Sequence, residues 1–331
     1  MFVLGPDECL PVALTRNWAF VGCASFEPRW DGVASTVRQR SLAPVAAHVL
    51  YPNDTGSANY AECQEIQERF WNLSFLKNEW SATRTNVELL GARPWDAVKA
   101  ATNAFIRTSG VDSIVVDITT MPRVCLLPTI ATVLAHPTLQ NVIVGYSEPG
   151  RYTGAELHSE PTGAIVVPPF DRLGAVGDRR VAWIPIFGFG PSFAENIYEA
   201  IASMFVLGER VFPLFGFPAF SPDAFERALR EGATVLENAE ALRDQFLYAS
   251  AADPFESRSA IRRVMTASDA TVSWIVSPMG SKPMTLGAAL AATDSDLSIM
   301  IDQPRTYSPR YSEGQGPVHF YVLRSGGRRT Y

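Results

Sequence analysis

Hydroxyl side chains and a cation come together in the loop that follows the apolar run Ser113–Asp117. Thr119 and Thr120 stand in this loop, and Arg123 stands where the next helix is predicted to begin. The start of a helix presents unpaired backbone N–H groups and the positive end of the helix dipole, so such a loop favours phosphate or carboxylate. The sequence therefore predicts an anion site here. The alternative for this loop taken alone is a capped helix start with a solvated charge.

A second loop of the same kind follows the apolar run at 271–276. Gly280 permits close approach of a ligand to the backbone, Ser281 offers a hydroxyl, and Lys282 supplies a mobile positive charge. Pro283 suits the first helical turn, where its missing N–H costs nothing. This loop also predicts an anion site, with the same alternative of a capped helix start.

Further polar residues stand in loops that follow predicted strands. Glu27 and Arg29 flank Pro28 in the loop after the first strand, and either could read a base or sugar or form a surface ion pair of little energetic weight. We take Glu27 and Asp117 as candidate catalytic acids or bases. The ligand-binding residues predicted from all the loops are Ser25, Arg29, Thr119, Thr120, Arg123, Ser192, Gly280, Ser281, Lys282 and Arg305.

Short apolar runs alternate with amphipathic segments twice along the 331 residues, which is typical of parallel βαβ units. We predict an α/β protein of two Rossmann-like, parallel-sheet halves, with lobes at 1–165 and 166–331. The predicted strands begin with the run at 18–23 in the first lobe and the run at 181–187 in the second, and the run at 318–323 is assigned to the second lobe.

Three loop signatures recur in the same order in the two halves, which predicts an internal duplication. Anchored on Gly22, Pro122 and Pro149, the first set has separations of 100 and 27 residues. Anchored on Gly188, Pro283 and Pro304, the second set has separations of 95 and 21 residues. All three pairs fall at the carboxyl ends of predicted strands, where open α/β sheets bind ligands. The alternative is that any two Rossmann-like domains look alike at this level of comparison.

Composition and missing motifs exclude several classes of function. The net charge of −6 disfavours binding to extended nucleic acid, and no apolar run is long enough to span a membrane. The four cysteines and four histidines show neither disulfide nor metal-ligand spacing. The sequence has no nucleophile elbow, no Walker loop and no complete GxGxxG. We therefore expect a cytoplasmic protein with no metal and no cofactor.

The run Gly280-Ser281-Lys282-Pro283-Met284, between an apolar strand and a small-residue helix, resembles the GTK-type loop of CARF domains. The tandem arrangement resembles SAVED domains and two-lobed CARF proteins, which sense cyclic oligonucleotides in CRISPR-linked defence. The resemblance covers the loops near 20–30, 117–123, 188–193 and 277–284, and it implies a ligand site between two lobes. The first lobe departs from the pattern, since Met121-Pro122-Arg123 stands where Gly-Thr-Lys is expected.

These observations lead to a sensor hypothesis with two alternatives. We expect a small phosphate-bearing nucleotide, such as a cyclic oligonucleotide, to bind in the cleft between the lobes on Arg123 and Lys282, as part of prokaryotic antiviral defence. No appended effector is recognisable in the sequence, so an activity of its own or a partner effector subunit would carry the output. The first alternative is an enzyme that cleaves or processes a nucleotide or nucleoside, resembling ring nucleases. The second is a scaffold or interaction subunit of a defence complex.

Overall fold

A computed structural model describes residues 17–53, 55, 59–153, 161–173, 180–188, 191–268 and 272–331 of the chain. The strands are numbered along the chain, and apolar β-branched residues are frequent in the central ones, as expected for strands buried on both faces. Their bounds are β1 (Trp18–Cys23), β2 (Ala46–Asn53), β3 (Thr83–Glu88), β4 (Ser113–Asp117), β5 (Asn141–Tyr152), β6 (Pro161–Val166), β7 (Arg180–Phe187), β8 (Val206–Val211), β9 (Leu214–Gly216), β10 (Leu247–Ala249), β11 (Ser273–Pro278), β12 (Leu297–Pro304), β13 (Ser312–Ser325) and β14 (Arg328–Arg329).

Helices connect most of the parallel strands. Their bounds are α1 (Gly32–Gln39), α2 (Tyr60–Leu73), α3 (Phe75–Asn78), α4 (Pro94–Ser109), α5 (Arg123–Ala135), α6 (Pro191–Met204), α7 (Ala224–Glu231), α8 (Ala233–Asn238), α9 (Pro254–Ala267) and α10 (Lys282–Thr293). None of the helices in the described part of the chain has both the length and the apolar character that crossing a membrane requires.

The chain divides into two compact units, which we call unit 1 (Met1–Leu157 with Thr306–Tyr331) and unit 2 (His158–Arg305). The sheet of unit 1 has the strand order β14-β13-β5-β4-β1-β2-β3. Strands β1 to β5 are mutually parallel, and β13 and β14 are antiparallel additions. All residues of β1 and of β4 are buried, because helices cover both faces of a parallel sheet.

The sheet of unit 2 has the strand order β10-β9-β7-β11-β12-β6, with β8 also pairing with β7. Its strands are parallel except β6, which runs antiparallel to β12. The predicted α/β class with two mostly parallel, Rossmann-like sheets is therefore confirmed. The central orders β5-β4-β1-β2-β3 and β12-β11-β7-β9-β10 also correspond position by position, as the predicted repeat requires.

Each of the strands β6 and β13 joins a different sheet from the strand that precedes it in the sequence. Strand β6 follows β5 in sequence but pairs with β12, and β13 follows β12 but pairs with β5. The expected division at 165/166 therefore differs from the observed one, since the chain from Thr306 onward belongs to unit 1. The physical reason is that β6 already occupies the outer edge of β12, whereas β5 offers a long edge on which Phe320 and Tyr321 of β13 become fully buried.

Some elements differ from the sequence-based expectation. The apolar run at 210–215 predicts one strand, but the two short strands β8 and β9 form there. The run at 87–90 also predicts a strand, and the observed strand β3 begins earlier, at Thr83. Strand β10 was not predicted, because three residues are too few for a periodic signal. The pattern at 224–245 predicts a mostly helical segment with a break at Gly232. The structure has this break between α7 and α8, and α8 ends at Asn238.

Candidate ligand site at the carboxyl edge of the first sheet

Each sheet contains one point at which the strand order reverses. In unit 1 the chain proceeds from β1 outward through β2 and β3 and then returns to place β4 on the other side of β1. The loops that follow β1 and β4 diverge at this point, and open α/β sheets bind ligands there, at the carboxyl ends of the strands. The loops at 24–31 and 118–122 therefore define the candidate site of unit 1.

A buried ion pair lies in the loop after β1. Nε of Arg29 donates to Oε2 of Glu27 at 2.9 Å, and the two residues are only 3% and 7% exposed. Oε2 of Glu27 also accepts from the Tyr311 hydroxyl at 2.9 Å and from Oγ of Ser312 at 3.1 Å. Two buried charges thus satisfy each other with the help of hydroxyl groups, which is the condition under which burial of charge is tolerated.

The two other nitrogens of Arg29 also donate to nearby residues. We call the whole group the charge network; it consists of Glu27, Arg29, Ser147, Tyr311 and Ser312. Nη1 donates to the main-chain oxygen of Ser147 at 2.6 Å, and Nη2 donates to the hydroxyl of Tyr311 at 2.9 Å. Desolvation alone would lower the pKa of Arg29, but Glu27 and nearby tyrosines hold it well above its ordinary value. All three nitrogens of Arg29 therefore donate to protein acceptors, and Glu27 is a bound partner of Arg29 rather than a surface charge.

Asp117 ends β4 and lies in the same region of the sheet edge. Its Oδ1 accepts from the backbone N–H of Thr119 at 2.9 Å, and Oγ1 of Thr119 accepts from the N–H of Ser147 at 2.9 Å. Oδ2 of Asp117 is buried and has no hydrogen-bond partner among the described residues. Desolvation is the main cause that raises the pKa of Asp117 to about 7.

A second carboxylate, Asp31, contributes to the electrostatics of Asp117. Its negative charge raises the pKa of Asp117 further, and desolvation raises the pKa of Asp31 itself. Asp31 precedes α1, whose first residue Gly32 lies so close to β5 that an added Cβ would be 2.8 Å from Oγ of Ser147. Asp31 is not among the residues predicted from the sequence, although its place between the β1 loop and a helix is one that indicates a site residue.

The hydroxyls predicted to bind a ligand are already engaged in holding the loops. Oγ of Ser25 accepts from the N–H of Glu27 at 3.2 Å, and Oγ1 of Thr120 donates to the main-chain oxygen of Cys23 at 3.2 Å. Thr120 thereby joins the loop after β4 to the end of β1. These two residues position the site, and their contacts connect its loops.

Arg123 begins α5 and is partly buried. Desolvation lowers the pKa of Arg123, and Tyr307 and Tyr311 oppose this change. The cation predicted from the sequence therefore lies in the same unit and electrostatic environment as the charge network. A neighbouring anion would offset the cost of desolvating its charge.

The corresponding loop of unit 2 forms a capped helix start. Oγ of Ser281 accepts from the N–H of Met284 at 3.2 Å and donates to the main-chain oxygen of Ala251 at 2.5 Å. Gly280 is closely packed, since an added Cβ would lie 3.0 Å from Cγ2 of Ile186. For Ser281 the alternative of a helix cap therefore describes the observed contacts. Lys282 is the first residue of α10 and is partly buried.

Two further residues of unit 2 were predicted to bind the ligand, Ser192 and Arg305. Arg305 follows β12 directly and is exposed, while the side chain of Ser192 lies outside the described part of the chain. Asp302, near the end of β12, accepts from the N–H groups of Thr162 and Gly163 at 3.1 and 3.0 Å and from the amide of Asn196. Asp302 therefore anchors β6 and α6 within unit 2.

No group of three or more His, Cys, Asp or Glu side chains that could hold a metal ion occurs within the described ranges. The three cysteines described there, Cys23, Cys63 and Cys125, are not linked by disulfides.

No family model matches the chain, and no curated protein matches it. Among solved structures, the chain is similar to a functionally unknown protein from Pseudomonas aeruginosa PAO1, with 8% identity and a TM-score of 0.27 over 89% of this chain and 95% of that one. It is also similar to the UDP-GlcNAc 2-epimerase from Methanocaldococcus jannaschii, with 10% identity and a TM-score of 0.26 over 90% and 96% of the two chains. A universal stress protein from Archaeoglobus fulgidus DSM 4304 shows 13% identity and a TM-score of 0.26 over 88% and 98%.

Proposed function

We propose that this protein binds a small phosphate-bearing ligand of the nucleotide class at the carboxyl edge of the first sheet and acts as a sensor of that ligand. The observation that carries the proposal is Oδ2 of Asp117, a buried carboxylate oxygen without a partner among the described residues. A buried polar atom left unsatisfied costs free energy, and a donor group on a ligand would recover that cost. Ribose hydroxyls and base amino groups are such donors.

Arg123 supplies the complementary charge for the phosphate. Its side chain is partly buried at the start of α5, and desolvation lowers its pKa, so an anion beside it would be favourable. The ligand would thus contact a cation and a carboxyl group, with its phosphate toward Arg123 and a hydrogen-bond donor toward Asp117. This combination favours a nucleotide over inorganic phosphate or a simple carboxylic acid.

The wider biological role rests on sequence resemblance. The loop at 280–284 resembles the GTK-type loop of CARF domains, and the two similar sheets fit a tandem, SAVED-like arrangement. On this basis we propose a cytoplasmic sensor in prokaryotic antiviral defence, with a cyclic oligonucleotide as ligand and a partner subunit as effector.

Titration calorimetry with cyclic di-, tri- and tetranucleotides tests the binding proposal. We expect at least one member of this panel to bind, and the Arg123→Gln variant to lose about tenfold or more in affinity. Arg107→Gln, at an exposed position near the end of α4, serves as the matched control and should bind like the parent protein. If the folded protein binds no member of the panel or of the corresponding linear mononucleotides, the proposal fails.

One observation favours the enzyme alternative. A carboxyl group whose pKa is raised to about 7, as that of Asp117 is, can both donate and accept a proton near neutral pH. Incubation of the bound nucleotide with the protein, followed by mass spectrometry, separates turnover from binding. An enzyme should lose turnover in Asp117→Asn, whereas a pure sensor shows no product with either protein.

The interaction-subunit alternative has its own feature in unit 2. Phe217 and Tyr248 are 58% and 50% exposed, and both rings lie against Phe225. Exposed aromatic side chains are enriched in protein interfaces. Full cellular function in a protein carrying both Arg123→Ala and Lys282→Ala would favour this alternative over ligand sensing.

A further inference from the structure

A pocket of about 50 Å³ opens in unit 1 next to the loop that follows β1. It is bounded by Phe26 from that loop, Pro52 at the end of β2, Gln64 and Gln67 of α2, and Tyr307. The volume holds a few water molecules or the edge of one flat ring. The pocket lies at the carboxyl end of β2, beside the loops of the candidate site.

Two aromatic rings form one part of the wall. The ring centroids of Phe26 and Tyr307 are 6.3 Å apart and their planes are inclined by 50°. The main-chain oxygen of Tyr307 accepts from the side-chain amide of Asn59 and from the thiol of Cys63, so this segment is held against α2. Fixed aromatic faces of this kind favour a planar ring over a flexible aliphatic group.

The opposite part of the wall carries two glutamines with a defined orientation. Nε2 of Gln64 donates to the hydroxyl of Tyr51 at 3.2 Å, and Nε2 of Gln67 donates to the main-chain oxygen of Pro52 at 3.0 Å. Neither side-chain carbonyl oxygen has a hydrogen-bond partner among the described residues, although Gln67 is only 5% exposed. The pocket therefore offers two acceptor oxygens, one of them on the buried residue Gln67, and a group that brings N–H donors would pair with them.

The pocket is also connected to the proposed phosphate site. Tyr307, one of the two rings of its aromatic wall, also opposes the lowering of the Arg123 pKa by desolvation. A base beside Tyr307 and a phosphate near Arg123 is the arrangement that the proposed nucleotide ligand requires.

We propose that this pocket binds the amine-bearing edge of a planar heteroaromatic ring, of the aminopurine or aminopyrimidine class, against the paired rings of Phe26 and Tyr307 and against the carbonyl oxygens of Gln64 and Gln67. The inference rests on the proposed nucleotide-binding function and names the class of base. The pocket at the end of β2 would recognise the base, and it is separate from Asp117.

Ligand-observed NMR and calorimetry with two matched pairs of nucleosides test this inference. Adenosine is compared with purine riboside, which lacks only the amino group, and cytidine with uridine, whose ring carries an oxygen in that place. We expect the amine-bearing member of at least one pair to bind about tenfold more tightly, since the amino group adds a hydrogen bond to an otherwise unpartnered carbonyl oxygen. Equal affinities within both pairs, or no binding of any of the four, would overturn the inference.

Variants separate the pocket from the rest of the site. Gln67→Met keeps the length of the side chain and removes its carbonyl oxygen, so it should abolish the preference for the amine, while Gln39→Met at an exposed position should leave it unchanged. Thermal melting shows whether Gln67→Met folds. If it does not, Phe26→Leu, which removes an aromatic wall, and the nucleoside comparison with the parent protein still decide the question.

The same ligands distinguish failure of this inference from failure of the proposed function. Binding of AMP that depends on Arg123 but shows no preference for the amine overturns the pocket and leaves the phosphate site standing. An amine preference among nucleosides, with AMP affinity unchanged in Arg123→Gln, supports the pocket and removes the proposed phosphate contact.

Discussion

Arg29 and Tyr311 are separated by 282 residues in sequence, and Nη2 of Arg29 donates to the Tyr311 hydroxyl at 2.9 Å in a buried environment. The same hydroxyl donates to Oε2 of Glu27, so Tyr311 completes the ion pair of the loop after β1. The segment that carries Tyr311 leads into β13, whose pairing with β5 brings it to the first sheet. The candidate site of unit 1 therefore includes residues that lie beyond unit 2 in the chain.

Removal of the Tyr311 hydroxyl should destabilise unit 1. Tyr311→Phe leaves Glu27 and Arg29 each without one buried partner, and we expect a loss of about 1–3 kcal/mol in the free energy of unfolding. Urea unfolding followed by tryptophan fluorescence measures the loss. Tyr248→Phe, at a half-exposed position, is the control and should change stability by less than about 0.5 kcal/mol. Equal effects of the two substitutions would contradict the role given to Tyr311.

Asp117 should make the protein less stable as the pH rises through the weakly acidic range. The pKa of Asp117 is about 7 in the folded protein, whereas an aspartate in an unfolded chain has a pKa of about 4. Between these values the folded protein retains a proton that the unfolded chain has lost, so the free energy of unfolding falls as pH rises from about 4 to about 7. The full effect of this group is of the order of 4 kcal/mol.

Asp117→Asn should remove this contribution, because an amide does not titrate. Urea unfolding at several pH values between about 4 and 8 measures it, with Asp244→Asn at an exposed position as control. The control should retain the pH dependence of the parent protein. An unchanged pH dependence in Asp117→Asn would show that the raised pKa does not belong to this carboxyl group.

A side chain at Gly188 should destabilise unit 2. A Cβ at this position would lie 2.3 Å from the main-chain oxygen of Met279 and 2.8 Å from Cα of Gly280, so the loops after β7 and β11 would have to separate. We expect Gly188→Ala to destabilise the protein by about 1–3 kcal/mol. Gly280→Ala, whose nearest contacts are 3.0 to 3.2 Å, should cost less. Differential scanning calorimetry compares the two, and the reverse order would contradict the close approach of these loops.

Removal of the chain after Arg305 should affect unit 1 although the lost residues follow unit 2. Without β13, strand β5 loses its antiparallel neighbour and the charge network loses Tyr311 and Ser312. Hydrogen exchange should show faster exchange of the β5 amides, with β11 and β12 retaining their protection. A shorter truncation after Ser325, which removes only β14 and the final residues, should leave β5 protected. Loss of protection confined to unit 2 would contradict the assignment of this segment.

The sequence by itself determined the α/β class, the central strands and the loops that form the candidate site. These features depend on local information: apolar runs such as Ser113–Asp117 must be buried, and turn residues end them at defined positions. The repeat of loop signatures likewise anticipated the matching strand orders of the two sheets. The sequence did not reveal which sheet the outer strands β6 and β13 join, because an antiparallel edge strand has the same local pattern in either sheet.

Only the tertiary structure decided the roles of the individual polar residues. The type of a polar residue does not tell whether its side chain contacts a ligand or the protein itself. In the structure a protein partner is present for each of Ser25, Glu27, Arg29 and Ser281. Asp117 differs because burial leaves one of its oxygens unsatisfied, a property that depends on every group packed around it. Tyr311 could not be placed at the site from its own surroundings, since its contact with Arg29 joins positions 282 apart in the sequence.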